Sequence, residues 1–319
     1  MAATPLARLI VGLGLTALAF WLAHPAAVLR AGASADPRWI LVAVLLVIPD
    51  RALMAYRWIV LLHAVDPGRR VPLSAILRIF FVSTFVGTFL PSIGGDAARA
   101  YGLSRHDVPV ADSAASVVMD RLLGAWSLLL FAFGGLTLTG VARHDAGVLT
   151  ALALTTAGCA AAAAVLYSDA AASLVRRLLT LLPVAAVRRA SERLFDAIRR
   201  YGHHHGVVAN VTIGSLLVQA LRILQAYCLG RALGIDAPLA LYFALIPWTL
   251  LVMLVPISVN GLGTSQVAFV YLFGLVGVPS AQAFALSVLC VALGAVGNLP
   301  GGLIYTFGST RPASAGNGT

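Results

Sequence analysis

Apolar residues run along this chain in blocks of helix length rather than in stripes. The blocks lie near residues 7 to 23, 39 to 64, 72 to 90, 114 to 140, 146 to 167, 207 to 230, 240 to 256 and 281 to 307. A helix that is apolar all round is buried in protein or lipid, and about 20 such residues cross a bilayer. Two of the blocks, 72 to 90 and 240 to 256, run straight into breaks in the pattern. The first break is Phe89-Leu-Pro-Ser-Ile-Gly-Gly-Asp-Ala-Ala-Arg99, turning at Pro91; the second is Pro256-Ile-Ser-Val-Asn-Gly-Leu-Gly-Thr-Ser-Gln266. Unwound backbone survives at membrane depth only where it lines a cavity or is covered by protein. Asp96 to His106 is helix-compatible and Thr264 to Val276 is apolar, so each break reads as the tip of a re-entrant hairpin, 72–112 and 240–277.

The expected fold is therefore all-α and polytopic, with about six full transmembrane helices plus two re-entrant hairpins; eight full spans are the alternative. Arginine positions discriminate between them. With the hairpins and a cytoplasmic N-terminus, 13 loop arginines fall inside and 4 outside; eight spans with the N-terminus outside give 11 against 6. The hairpin arrangement fits the positive-inside rule better. It also makes each half helix, helix, hairpin, helix, with residues 1–145 and 146–307 as inverted repeats whose broken helices meet near the midplane. Residues 7 to 23 read as a first transmembrane helix, although Ala33-Ser34-Ala35 resembles a signal-peptide cleavage site.

Composition narrows the function. The 319 residues are 60% hydrophobic and 11% charged, which excludes a soluble globular domain. No polar stretch approaches the roughly 100 residues that a soluble catalytic domain needs. The net charge of +10 comes from arginine alone, with no lysine in the chain. Lysine-based covalent chemistry is thereby excluded, whereas arginine suits bidentate phosphate contacts; an Ala- and Arg-rich composition accounts for the bias equally well. Cys159, Cys228 and Cys290 lie singly in apolar blocks and behave as small hydrophobes. Neither a disulfide nor a metal site is read from them, and His203 to His205 read as solvent-exposed.

The polar stretch 168–206 is expected to be a basic cytoplasmic linker, divided at Pro183. In its second piece Val187, Leu194, Phe195 and Ile198 share one face and most arginines lie elsewhere, the pattern of an amphipathic helix on an anionic leaflet. A solvated linker is the plainer reading.

Several polar residues fall where lipid would make them expensive. Gly94 and Gly95 are expected to loosen the backbone, Asp96 to N-cap a half-helix from Ala97, and Arg99 to add a charged fork one turn along. A helix N-terminus in that place suits a phosphate or carboxylate; an Asp96–Arg99 pair in a surface loop is the alternative. At the second break Asn260, Gly261 and Gly263 unwind the chain, Thr264 or Ser265 caps a half-helix, and Asn260 and Gln266 offer hydrogen bonds. Asp50, Arg51, Arg57, Asp120, Arg121 and Arg222 lie within spans. Arg222 calls for an anionic partner, either Asp120 or a substrate phosphate, while Arg57 and Arg121 are expected to snorkel to the cytoplasmic surface.

At Leu90-Pro-Ser-Ile-Gly-Gly-Asp96 with Arg99, at Asp120-Arg121 and at Pro256 through Gly263, the chain resembles the lysylphosphatidylglycerol synthase transmembrane-region family, or flippase-like domain proteins. The resemblance covers nearly the whole chain. It implies a multi-pass protein of the bacterial plasma (inner) membrane, with cytoplasmic termini, that moves a lipid with a polar headgroup between leaflets. Family members fused to a soluble aminoacyl-transfer domain make and flip aminoacylated phosphatidylglycerol; this chain ends at Thr319 and is expected to resemble the stand-alone members, not an enzyme. Gln266 replaces an expected acid and Asp120 an expected glutamate. Losing the first weakens recognition of a cationic headgroup and favours an anionic one, such as a polyprenyl-phosphate-linked lipid.

Three functions follow. The first is a lipid translocator, its headgroup held by Gly94, Gly95, Asp96, Arg99, Asp120, Arg121, Arg222, Asn260, Gly261, Gly263 and Gln266 around the breaks at Pro91 and Pro256. The second is an ion-coupled small-solute transporter using Asp96 or Asp120. The third is a non-transporting membrane partner of a glycosyltransferase. Membrane lipids are the expected partners, with no cofactor, metal or nucleic acid.

Overall fold

A computed structural model of the protein describes residue 21 and residues 25–65, 71–89, 92–106, 108–140, 146–181, 183–254 and 263–307. Among the described residues the regular structure is helical, and the protein is a multi-pass membrane protein. The helices are α1 (Pro25–Ala33), α2 (Pro37–Val65), α3 (Leu73–Phe89), α4 (Ser92–Ser104), α5 (Val110–Thr139), α6 (Ala146–Tyr167), α7 (Asp169–Thr180), α8 (Ala185–Arg200), α9 (His205–Ala232), α10 (Leu239–Leu254), α11 (Thr264–Gly274) and α12 (Ser280–Phe307), with one 3-10 turn, Tyr201–His203, before α9. Five of these, α2, α5, α6, α9 and α12, are long and apolar enough to cross a bilayer, and α3 and α10 are shorter apolar helices. They coincide with seven of the eight apolar blocks. The remaining block, 7–23, lies outside the described residues except for Trp21.

The helices that flank each break pack on one another, α3 on α4 and α10 on α11. In the first pair, Gly87 faces Gly95, Ser83 faces Arg99 and Ile79 faces Gly102, an antiparallel register. A Cβ on Gly95 would lie 2.8 Å from Gly87 Cα, so the helices cross here backbone to backbone. This explains one correction. Asp96 does not cap a half-helix starting at Ala97: α4 begins at Ser92 and carries Gly94, Gly95 and Asp96 as helical residues, the glycines permitting close approach rather than unwinding. At the second break neither Thr264 nor Ser265 is the cap. Gly263 is, at φ 82°, a left-handed conformation that glycine adopts at least cost, and Gln266 Oε1 accepts the Gly263 N–H at 2.6 Å.

Packing recurs between the two halves. α2 lies against α9; α3 lies against α12 as α10 lies against α5; α4 lies against α5 as α11 lies against α12. The recurrence reaches individual glycines. A Cβ on Gly301 of α12 would fall 2.0 Å from the Phe81 carbonyl oxygen of α3, and one on Gly135 of α5 would fall 2.3 Å from Ala244 Cα of α10.

The basic linker differs from its expected role. Ala197 and Tyr201 are buried, and Leu194 and Ile198 pack with them against Leu61, Ala115 and Met119; Phe195 is buried beneath Arg176. The apolar face of α8 thus lies on protein rather than lipid, with Val187 left exposed. Tyr201 donates its hydroxyl to the Leu61 carbonyl at 2.9 Å, and burial pushes its phenol well above the ordinary range. Several linker arginines are paired: Arg176 with Asp196 at 2.7 Å, Arg199 with Asp169 at 2.7 Å, and Arg200 with Asp112.

Candidate functional site

Helices α2 to α5 and α9 to α12 enclose a cavity of about 400 Å3 between the two halves. From α2 come Val47, Asp50, Met54 and Arg57, spaced three and four apart, so that one helical stripe faces inward, with Arg51 beside it. The first hairpin adds Ser83, Thr88, Gly95, Asp96 and Arg99, and α5 adds Asp120 and Arg121. Opposite them stand Gln219, Arg222 and Gln225 of α9, Ser265 of α11, and Ser287 and Asn298 of α12. Polar side chains amid apolar helices are expensive at membrane depth, which makes this cavity the candidate site.

Among the described residues of the wall each arginine but one has an aspartate within ion-pair distance, two of them sharing Asp50. Arg57 is 4% exposed and donates Nη2 to Asp120 Oδ1 at 2.7 Å and to the Asp120 carbonyl at 3.1 Å. Arg121 is half-exposed and grips Asp96 with two hydrogen bonds, each 3.1 Å, spanning α4 and α5. Arg222 reaches Asp50 at 3.5 Å and the Met54 sulfur at 3.2 Å. Arg51 sits 3.8 Å from Asp50 and donates to the Gly294 carbonyl at 3.2 Å. Arg99 is the exception. It is 7% exposed, donates Nε to Ser83 Oγ at 3.3 Å, and lies 5.1 and 4.9 Å from the ring centres of Trp58 and Phe80. Aromatic faces stabilise a cation without neutralising it, so this guanidinium reaches the cavity with its charge uncompensated by any described ion pair.

Glycines make room for two of the forks. A Cβ on Gly214 would lie 2.9 Å from Arg57 Cγ, and one on Gly297 would lie 2.6 Å from Arg51 Nε. Small residues at these crossings let long side chains lie between the helices.

The structure gathers Gly95, Asp96, Arg99, Asp120, Arg121 and Arg222 at one cavity. Gly94, Gly263 and Gln266 are not in its wall; Gln266 is 2% exposed and engaged at the α11 N-terminus. Pro91, Pro256, Asn260 and Gly261 lie outside the described residues. Two alternatives are not realised, since Asp96 pairs with Arg121 and not Arg99, and Arg222 with Asp50 and not Asp120; one expectation is corrected, since Arg57 is buried rather than snorkelling. Sequence reading passed over Asp50, Arg51, Gln219 and Asn298 as site residues. The signal for Asp50 was available, since Asp50, Met54 and Arg57 stand at i, i+4 and i+7 within an apolar block.

The family model described as "Lysylphosphatidylglycerol synthase TM region" matches residues 6–301 of the chain. No curated protein matches it, and no solved structure does.

Proposed function

The chain belongs to the lysylphosphatidylglycerol synthase transmembrane-region family, and from that premise we propose that it is a lipid translocator and not an enzyme. The observation that carries this reading is the cavity between the halves, where a buried arginine without a carboxylate partner stands among paired ones. A phosphate-bearing headgroup would neutralise Arg99 and gain charge-assisted hydrogen bonds. The recurrence of packing between α2–α5 and α9–α12 supports inverted repeats, with the cavity on the pseudo-twofold axis and two hairpins that open it to alternate faces. The arginine distribution supports cytoplasmic termini, and a bacterial inner membrane is the setting in which we place the protein.

Binding is tested by native mass spectrometry of the purified protein. The expected result is a co-purifying anionic lipid that is lost from Arg99→Ala. Retention of the same lipid by that variant, at equal occupancy, would remove the cavity from the reading.

A further inference from the structure

Among the described residues lining the cavity, five arginines face three aspartates, a surplus of two positive charges. The surplus is divided between two places. At one end Asp120 neutralises Arg57 and Asp96 neutralises Arg121, leaving Arg99. At the other end Arg51 and Arg222 share the single carboxylate of Asp50, at 3.8 and 3.5 Å. Both of these guanidinium groups also turn a terminal nitrogen toward one atom, the sulfur of Met54, at 3.5 and 3.2 Å. A thioether is a weak acceptor, so two converging forks face a group far poorer than the oxygen anions they ordinarily bind. Arg57, paired with Asp120, lines the same cavity as both ends.

Resting on the reading of this cavity as a headgroup site, we propose that its ligand is a lipid diphosphate, with one phosphate at Arg99 and the second, joined to it, on Arg51 and Arg222. A phosphodiester with one charge offsets the surplus at one end and leaves that at the other, either buried Arg99 or the Arg51–Arg222 pair that shares Asp50. Two linked phosphates answer both ends, and each guanidinium fork matches a pair of phosphate oxygens. Gly297 belongs to this second subsite, because a methyl group there would displace Arg51 by its Nε.

The test uses the full-length purified protein in a neutral detergent. Dissociation constants are measured for geranylgeranyl diphosphate, geranylgeranyl phosphate, phosphatidylglycerol and phosphatidylcholine, with inorganic pyrophosphate as competitor. The diphosphate lipid should bind about tenfold tighter than the monophosphate of the same chain, the difference expected of one added charge-assisted contact. Arg51→Gln should abolish that preference, the two isoprenoid phosphates then binding equally. Gly297→Ala should do the same without removing any charge, and covers the case in which Arg51→Gln does not fold. Equal binding of the two isoprenoid phosphates by the wild type would overturn the proposal, as would a preference that survives both substitutions. Displacement by an equal concentration of inorganic pyrophosphate would make the ligand a free diphosphate and overturn the lipid assignment. Binding of all anionic lipids no tighter than phosphatidylcholine is a different failure, that of the headgroup reading itself.

Discussion

Two buried arginines, Arg57 and Arg99, show how similar side chains separate structure from function. Arg57 holds Asp120 in a pair that is largely out of water. Removing one partner of such a pair leaves an uncompensated charge, so Arg57→Ala should destabilise the protein by about 3–5 kcal/mol, read as a fall in the melting temperature in detergent. Arg99 leaves no aspartate behind when it is removed. Arg99→Ala should fold and instead weaken lipid binding by about tenfold to a hundredfold, the value of one charge-assisted hydrogen bond of 1.5–3 kcal/mol. Arg99→Lys should recover part of this, since an ammonium keeps the charge between Trp58 and Phe80 but lacks the fork. Asp96 and Arg121 are partly exposed, and such pairs contribute only about 0–1 kcal/mol. Asp96→Asn should therefore leave the melting temperature near wild type, and any large loss of transport in that variant would assign Asp96 a role in the cycle itself.

Between helices, glycine position decides what is tolerated. Gly134 and Gly135 are neighbours on α5, yet a Cβ meets nothing within 4 Å at the first and lies 2.3 Å from Ala244 Cα at the second. Gly134→Ala should be neutral or stabilise by up to about 1 kcal/mol, the helix-propensity difference, whereas Gly135→Ala should lower stability by driving α5 from α10. Thermal unfolding of the two variants compares them directly. Cysteine labelling in a Cys-free background tests the hairpins: positions 69 and 105 should label from one side, and labelling from opposite sides would contradict re-entry. The helix-length apolar blocks carried most of this element-scale picture, because a bilayer demands continuous apolarity that is visible residue by residue. The local geometry at the breaks was less legible. Gly94-Gly95 reads equally as an unwound tip or as a helix crossing, and only the packing of Gly95 on Gly87 distinguishes the two. Ion pairs were least legible, since Asp50 with Arg222 and Arg57 with Asp120 join residues whose proximity depends on how α2, α5 and α9 pack.

Across the whole molecule, two concentrations of charge stand out among the described residues, the cavity and the basic linker. Within the linker the described ion pairs occupy Arg176, Arg199 and Arg200, so lipid attraction should rest on Arg177, Arg188, Arg189 and Arg193. Neutralising the latter group should reduce the preference of the reconstituted protein for anionic over neutral nanodiscs, at about 1 kcal/mol per arginine near the surface. Neutralising Arg199 and Arg200 should act on stability instead. The account as a whole turns on whether headgroups pass through the arginine cavity. Its most direct test is leaflet-to-leaflet transfer of a fluorescent polyprenyl phosphate in proteoliposomes at matched reconstitution. Wild type should accelerate transfer over protein-free vesicles and Arg99→Ala should return it to near the protein-free rate; equal rates for wild type and Arg99→Ala would contradict the account.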